Sequence, residues 1–181
     1  MKERVTLVTL FNEKVTKKIN NLINIVDEPL CKVPYLASVE DRVFADTLPF
    51  HFTIIAWSKD KEKEVISILK SINFKKIKVY VDKVNVKKTS NNSYLIYLSI
   101  KENEEIKSLQ RTLYEKMPVE KYNPDKFTFH ISLQDEKDYE KAVSFQQKMN
   151  TVFEPFEVEI SELGLFEIYP AELVYKVSST D

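Results

Sequence analysis

Glycine is nearly missing from this chain: Gly164 is the only one in 181 residues. The phosphate-cradling loop of P-loop enzymes and the dinucleotide-binding fingerprint each need two or more glycines for close backbone approach. The nucleophile elbow of α/β-hydrolases also needs flanking glycines. None of the three can be built here. Cysteine is equally scarce, and Cys31 alone cannot close an internal disulfide, which fits a reducing compartment. It also stands in no nucleophile context. Histidine occurs twice, at His51 and His130. Two histidines and one cysteine fall short of a typical structural zinc site. An excess of either charge is absent too, with 27 basic against 28 acidic residues and a net charge of -1. A broad electrostatic grip on nucleic acid is therefore excluded, and an anionic ligand has to be held locally. Finally, no apolar run approaches the roughly 18 residues a membrane helix needs. The opening MKERVTLVTLF is too short an apolar run for a signal-peptide core. These features lead to the expectation of a cytoplasmic protein without a membrane segment.

What is present is core-forming material. The chain is 43% hydrophobic and 12% aromatic, enough for a packed interior in one domain, or in two small lobes sharing a core. Val5 to Phe11 reads as a buried strand. Asn12 is placed to cap a helix bearing Val15, Ile19, Leu22 and Val26 at helical spacing. Residues 27 to 48 hold Pro29 and Pro34 without a sustained period, and read as mostly loop. Phe50 to Trp57 reads as a strand, followed by a helix capped by Ser58 or Asp60 and carrying Val65, Ile68, Leu69 and Ile72. Ile77 to Val86 alternates, and Asn91-Asn92 separates it from Tyr94 to Ile100, a hairpin pattern. A helix with Ile106, Leu109, Leu113 and Met117 on one side comes next. After a turn at Tyr122-Asn123-Pro124, Phe127 to Leu133 reads as a strand. Asp135 is then expected to open a helix with Tyr139, Ala142, Val143 and Met149 as its apolar side. Phe156 to Phe166 and Leu173 to Val177 read as closing strands around a Tyr169-Pro170 turn. Strands and helices alternate, yet hairpins are included, so the class is α+β.

The two histidines occupy matching settings, PFHFTIIAW and FTFHISL. Along a strand, residues two apart share a face. Phe50, Phe52 and Ile54 therefore face the core while His51 and Thr53 face away from it. Likewise Phe129, Ile131 and Leu133 are inward, and His130 and Ser132 share the other face. Each strand presents an imidazole beside a hydroxyl. With 23 Ser or Thr and 48 Val, Ile or Leu in the chain, random placement gives His-x-[Ser/Thr]-[Val/Ile/Leu] at both histidines with a chance of roughly 0.001. A strand with His-x-Thr leading into an amphipathic helix is echoed by one with His-x-Ser, which reads as two related lobes facing each other. Two imidazoles across a cleft can act as general base and general acid near neutral pH. The hydroxyls can donate to an anionic oxygen as charge develops. The set suits hydrolysis of a phosphodiester without a metal. A two-histidine metal site is the competing reading, but no carboxylate occupies the same motif positions.

His51-Phe52-Thr53-Ile54 and His130-Ile131-Ser132-Leu133 resemble the paired HxTx and HxSx motifs of the two-histidine phosphoesterases. That superfamily includes 2′-5′ RNA ligase-like proteins and 2′,3′-cyclic nucleotide phosphodiesterases. The resemblance implies a bilobal fold of two related antiparallel sheets with outer helices, the cleft between them holding both motifs. It implies metal-independent opening of a 2′,3′-cyclic phosphate, on an RNA end or a small cyclic nucleotide, leaving a 2′-phosphate and needing no cofactor. His51 and His130 become the catalytic pair, with His51 leaning to acid and His130 to base. Thr53 and Ser132 become the phosphate-oxygen donors. Alternatives in the same frame are a nucleotide-binding or phosphate-binding module without turnover, and reversible 2′-5′ RNA end joining. The expected assembly is a monomer.

Other candidates are less specific. Residues 31 to 47 precede the first motif strand and are placed to form a cleft wall. Arg42 within them suits bidentate phosphate binding, or an ion pair with Glu40, Asp41 or Asp46. Tyr35 and Tyr169 are each placed to stack on a base, or to pack on the body of the protein. Trp57 reads as core. The lysine-rich stretch Lys75 to Lys88 reads as a solvated sheet face that can also favour approach of RNA.

Overall fold

The protein is described by a computed structural model over residues 4–25, 49–101, 103–119, 123–168 and 171–181. The loop predicted over 27–48, with Cys31, Tyr35 and Arg42, lies outside these residues, as does Tyr169.

The described elements run β1 (Arg4–Thr9), α1 (Glu13–Ile23), β2 (Thr53–Ser58), α2 (Glu62–Lys70), β3 (Ile77–Lys88), β4 (Tyr94–Ile100), α3 (Glu104–Lys116), β5 (His130–Glu136), α4 (Tyr139–Asn150), β6 (Phe156–Ile160), β7 (Glu162–Ile168) and β8 (Ala171–Ser178). They build two four-stranded sheets, ordered β2-β1-β7-β8 and β5-β4-β3-β6. Every strand pair is antiparallel. The α+β class and the two antiparallel sheets are those expected.

Local chemistry explains most boundaries. Asn12 caps α1 as predicted, its side chain accepting from Val15 N–H. Val15, Ile19 and Leu22 are buried at helical spacing. The hairpin β3–β4 turns at Asn92, the one described non-glycine residue with positive φ (56°), a conformation asparagine tolerates.

Four expectations need correction. Residues 156–166 are two strands, not one: β6 joins the second sheet beside β3, and β7 crosses to the first beside β1. The β pattern is continuous in sequence, so only the partition of strands between sheets sets the break at Ser161. The helix after β5 opens at Asp138, whose side chain accepts from Lys141 N–H, while Asp135 is still paired to Leu95 in the sheet. That shift exposes Tyr139 and places Phe145, with Ala142 and Met149, in the core. A 3-10 turn at Lys59–Lys61 precedes α2, so Ser58, which makes no side-chain cap bond, starts that turn, Asp60 lies inside it, and the N-cap position of α2 falls on Lys61 in place of either. Lastly, both motif strands begin late, β2 at Thr53 and β5 at His130.

The core lies on one side of the joined sheets. Phe52, Ile54, Ile131 and Leu133 are fully buried in it, as are Ile96 and Leu98 of β4. Trp57 is core, as predicted, and its indole N–H donates to the Met117 carbonyl at 3.1 Å. Gln110 of α3, also buried, donates to the Ile54 carbonyl of β2. Val8, Leu95 and Phe166 are buried but stand apart from that core. Val8 pairs with both Thr53 and Gly164, which puts Thr53, Val8, Gly164 and Phe166 on one face of the first sheet.

Candidate active site

Among the described residues, one isolated β-bridge links the strands that carry the two motifs. Phe52 forms an isolated antiparallel bridge with Ile131, linking the segment that leads into β2 to β5. Counting outward from that pair in the antiparallel sense sets His51 opposite Ser132, and Thr53 opposite His130. This register places the two motifs side by side, and the electrostatic effect of His51 on His130 shows that the two imidazoles are near each other. All four side chains are on the face away from Phe52 and Ile131, and all four are half-buried.

Phe52 is fixed from several sides. Its backbone N–H donates to Thr9 Oγ1 at 3.1 Å, and its carbonyl accepts from Thr9 N–H at 3.1 Å. Its ring contacts Phe11 and Phe129, with centroids 6.1 and 5.5 Å away. Phe129 in turn meets Phe127 edge-on at 5.3 Å. An aromatic layer therefore lies beneath both motifs, and aromatic packing of this kind resists sliding of one strand against the other. Thr9, 43 positions from Phe52, is a residue that motif reading had no signal to find.

The imidazoles are oriented in the same way. His51 Nδ1 lies 2.8 Å from the Pro49 carbonyl, and His130 Nδ1 lies 2.9 Å from the Thr128 carbonyl. A carbonyl only accepts, so each Nδ1 carries a hydrogen and each Nε2 is the atom left for proton exchange in the neutral ring. The repetition holds in sequence terms too: each histidine bonds the residue two before it. Burial pushes the His51 titration below its usual range, against the opposing effect of the Pro49 bond. Burial also dominates at His130, and with the charges of Lys87 and His51 it brings that titration down to about 4. Both rings are neutral at pH 7. Among the described residues, neither Thr53 Oγ1 nor Ser132 Oγ makes a hydrogen bond, so both hydroxyls are free to donate.

A further group enters from the lysine-rich strand. Lys87 Nζ donates to His130 Nε2 at 3.2 Å and lies 5.0 Å from the centre of the Tyr97 ring. Tyr97 meets His130 edge-on at 5.4 Å and is paired with Ser132. The expectation of a uniformly solvated face thus fails at Lys87, which is half-buried. Strand alternation alone does not reveal this, because the contact spans from β3 across β4 to β5. Among the described residues, no three His, Cys, Asp or Glu side chains gather to hold a metal ion. None of the described helices is long and apolar enough to cross a membrane.

The profile of the 2'-5' RNA ligase superfamily matches residues 45–170, which span both motifs. The chain belongs to that superfamily. Its fold is that of the two-histidine phosphoesterases, as the motifs implied. The structure of E. coli LigT complexed with 3'-AMP superposes with a TM-score of 0.65 at 14% identity, covering 100% of both chains. TT0787 of Thermus thermophilus gives a TM-score of 0.63 at 14% identity, covering 98% of this chain and 100% of the other. Kluyveromyces marxianus Usb1 with uridine monophosphate gives 0.51 at 11% identity, covering 97% and 95%. No curated protein sequence matches the chain.

Proposed function

We propose that the protein is a metal-independent phosphoesterase that opens a 2′,3′-cyclic phosphate by acid–base catalysis between His51 and His130. The observation that carries this reading is the paired geometry at the Phe52–Ile131 bridge. Two imidazoles with the same tautomer flank this bridge, each followed two residues on by a hydroxyl on the same strand face, which supports the reading. In the forward step, water attacks phosphorus as the bond to O3′ breaks. His130 takes the proton of water at Nε2, and protonated His51 gives its proton to the departing O3′. The product is a 2′-phosphate, and one further proton exchange restores the starting states. Thr53 and Ser132 donate to the non-bridging oxygens, where charge builds up.

The roles follow from charge. Lys87 lies beside His130 and opposes a second positive charge there, which favours His130 as base. Both rings are neutral in the empty site, so the negative charge of the phosphodiester supplies the pull that protonates His51. The near-neutral net charge favours a mononucleotide or short RNA end over long RNA. The nucleotides held by LigT and Usb1 support a small nucleotide ligand. We read the chain as a single domain of two related lobes, one motif from each.

The test is hydrolysis of uridine 2′,3′-cyclic phosphate in the presence of chelator, with the product identified by chromatography against the 2′- and 3′-monophosphates. Turnover to the 2′-phosphate, lost in His51→Ala and in His130→Ala, supports the reading. Binding without turnover favours a non-catalytic nucleotide module, and joining of RNA ends favours a ligase.

A further inference from the structure

The lysines of β3 and its neighbours are not alike. Lys76 pairs with Glu159 at 3.6 Å, Lys78 with Glu157 at 2.9 Å, and Lys101 with Asp82 at 3.6 Å. These are ion pairs at the exposed surface. Lys87 has no carboxylate partner among the described residues, although it is less exposed than they are. Its ammonium is directed at the Nε2 of His130 and at the face of Tyr97. Among the described residues, Lys87 from β3, Tyr97 from β4 and His51 from the segment before β2 face His130.

A half-buried ammonium without an anion is an unfavourable arrangement, because burial penalises the charged form. Burial accordingly lowers the Lys87 titration. A neutral imidazole only partly compensates, since it is an acceptor without charge. A phosphate seated on Thr53 and Ser132 would lie beside this ammonium and complete the pair. Binding would then draw the Lys87 N–H from Nε2 to a phosphate oxygen.

We infer that Lys87 is the phosphate-anchoring cation of this site and, through its contact with His130 Nε2, the positioning residue that assigns His130 the role of base. The inference rests on the proposed phosphoesterase reading for its base role, and on geometry alone for its anion-binding role. It makes the two histidines functionally unequal although their motifs are nearly the same. It also selects ligands that end in a phosphate or phosphodiester over neutral nucleosides, because only these supply the missing charge.

The experiment combines calorimetric binding of uridine 2′-monophosphate and inorganic phosphate with NMR titration of both histidines, in wild type, Lys87→Met, Lys87→Gln and Lys87→Arg. Removing the charge is expected to weaken both probes roughly tenfold or more, the scale of a hydrogen bond to a charged group. Lys87→Arg restores most of that binding. The His130 titration rises in Lys87→Met and Lys87→Gln, moving more than that of His51, and the acid limb of kcat/KM moves up with it. A role confined to folding would leave the His130 titration in place. Probe affinity unchanged in the Met and Gln variants, no binding of either probe to wild type, or an unmoved His130 titration each overturns the inference. If these shifts occur while wild type shows no turnover of the cyclic substrate, the anion site stands and the catalytic reading fails. If wild type turns over and the Lys87 variants match it in every readout, only the role of Lys87 fails.

Discussion

Phe52 stands opposite Ile131 in an isolated antiparallel bridge that links the segment before β2, in the first sheet, to β5 in the second. The alignment of both motifs depends on it. A slip of one residue in either strand would turn its histidine from the site face to the core face. Thr9 clamps Phe52 from the other side with its hydroxyl and its backbone, so β1 transmits the position of the first sheet to the site.

Thr9→Val keeps the shape of the side chain and removes the hydroxyl. The Phe52 N–H, buried with Thr9, then loses its acceptor, at a cost of about 1–3 kcal/mol. Urea unfolding measures that loss. In the cyclic-phosphate assay, kcat/KM is expected to fall, because His51 and Thr53 are displaced together relative to His130 and Ser132. A stability equal to that of wild type would show that the clamp is dispensable.

The depressed histidines set a pH dependence of stability. The folded state refuses protons that the unfolded chain accepts below its ordinary pKa near 6.5, so stability is complete above that pH. It is lost as pH falls from about 6.5 toward about 4, where His130 titrates, on the order of 1 kcal/mol per unit for that group. Urea midpoints between pH 7.5 and pH 4.5 follow this fall, and His130→Asn is expected to flatten it. Bound inorganic phosphate is expected to oppose it, because the anion raises both titrations and binding takes up protons. A fall as steep in His130→Asn as in wild type would place the linkage elsewhere.

Gly164 is required by close packing and not by its backbone angles. A Cβ there would lie 2.7 Å from the Phe166 ring, 3.0 Å from Leu173 Cδ1 and 3.1 Å from Leu10 Cδ2. Gly164→Ala forces Phe166 to turn, with an expected loss of about 1–3 kcal/mol. Thermal melting measures it, and the histidine titrations are expected to hold, since Val8 separates Gly164 from Thr53. An unchanged melting temperature would mean that the ring moves aside freely.

Much of this was legible in the residues, for physical reasons. The cap at Asn12 and the hairpin at Asn91-Asn92 are local, and local chemistry decides them. The alternation around His51 and His130 correctly separates Phe52, Ile54, Ile131 and Leu133 from the polar side chains between them. What escaped depends on pairing between distant strands. Nothing near Lys87 distinguishes it from its neighbours until β5 is placed two strands away. Thr9 acquires its role only when Phe52 lies beside it, and the strand break at Ser161 exists because the two halves of one apolar pattern serve different sheets. Asp135 and Asp138 both suit a helix start, and the sheet claims the first.

The proton-transfer pair itself is tested by the pH–rate profile for uridine 2′,3′-cyclic phosphate opening in wild type, His51→Ala and His130→Ala, with chelator present. The account predicts a bell-shaped kcat/KM whose limbs lie to the acid side of an ordinary histidine. It predicts a loss of about 10²–10⁴-fold in each variant, with one limb missing from each profile. A rate that keeps rising above the histidine range, or a single variant retaining wild-type activity, would contradict the two-histidine mechanism.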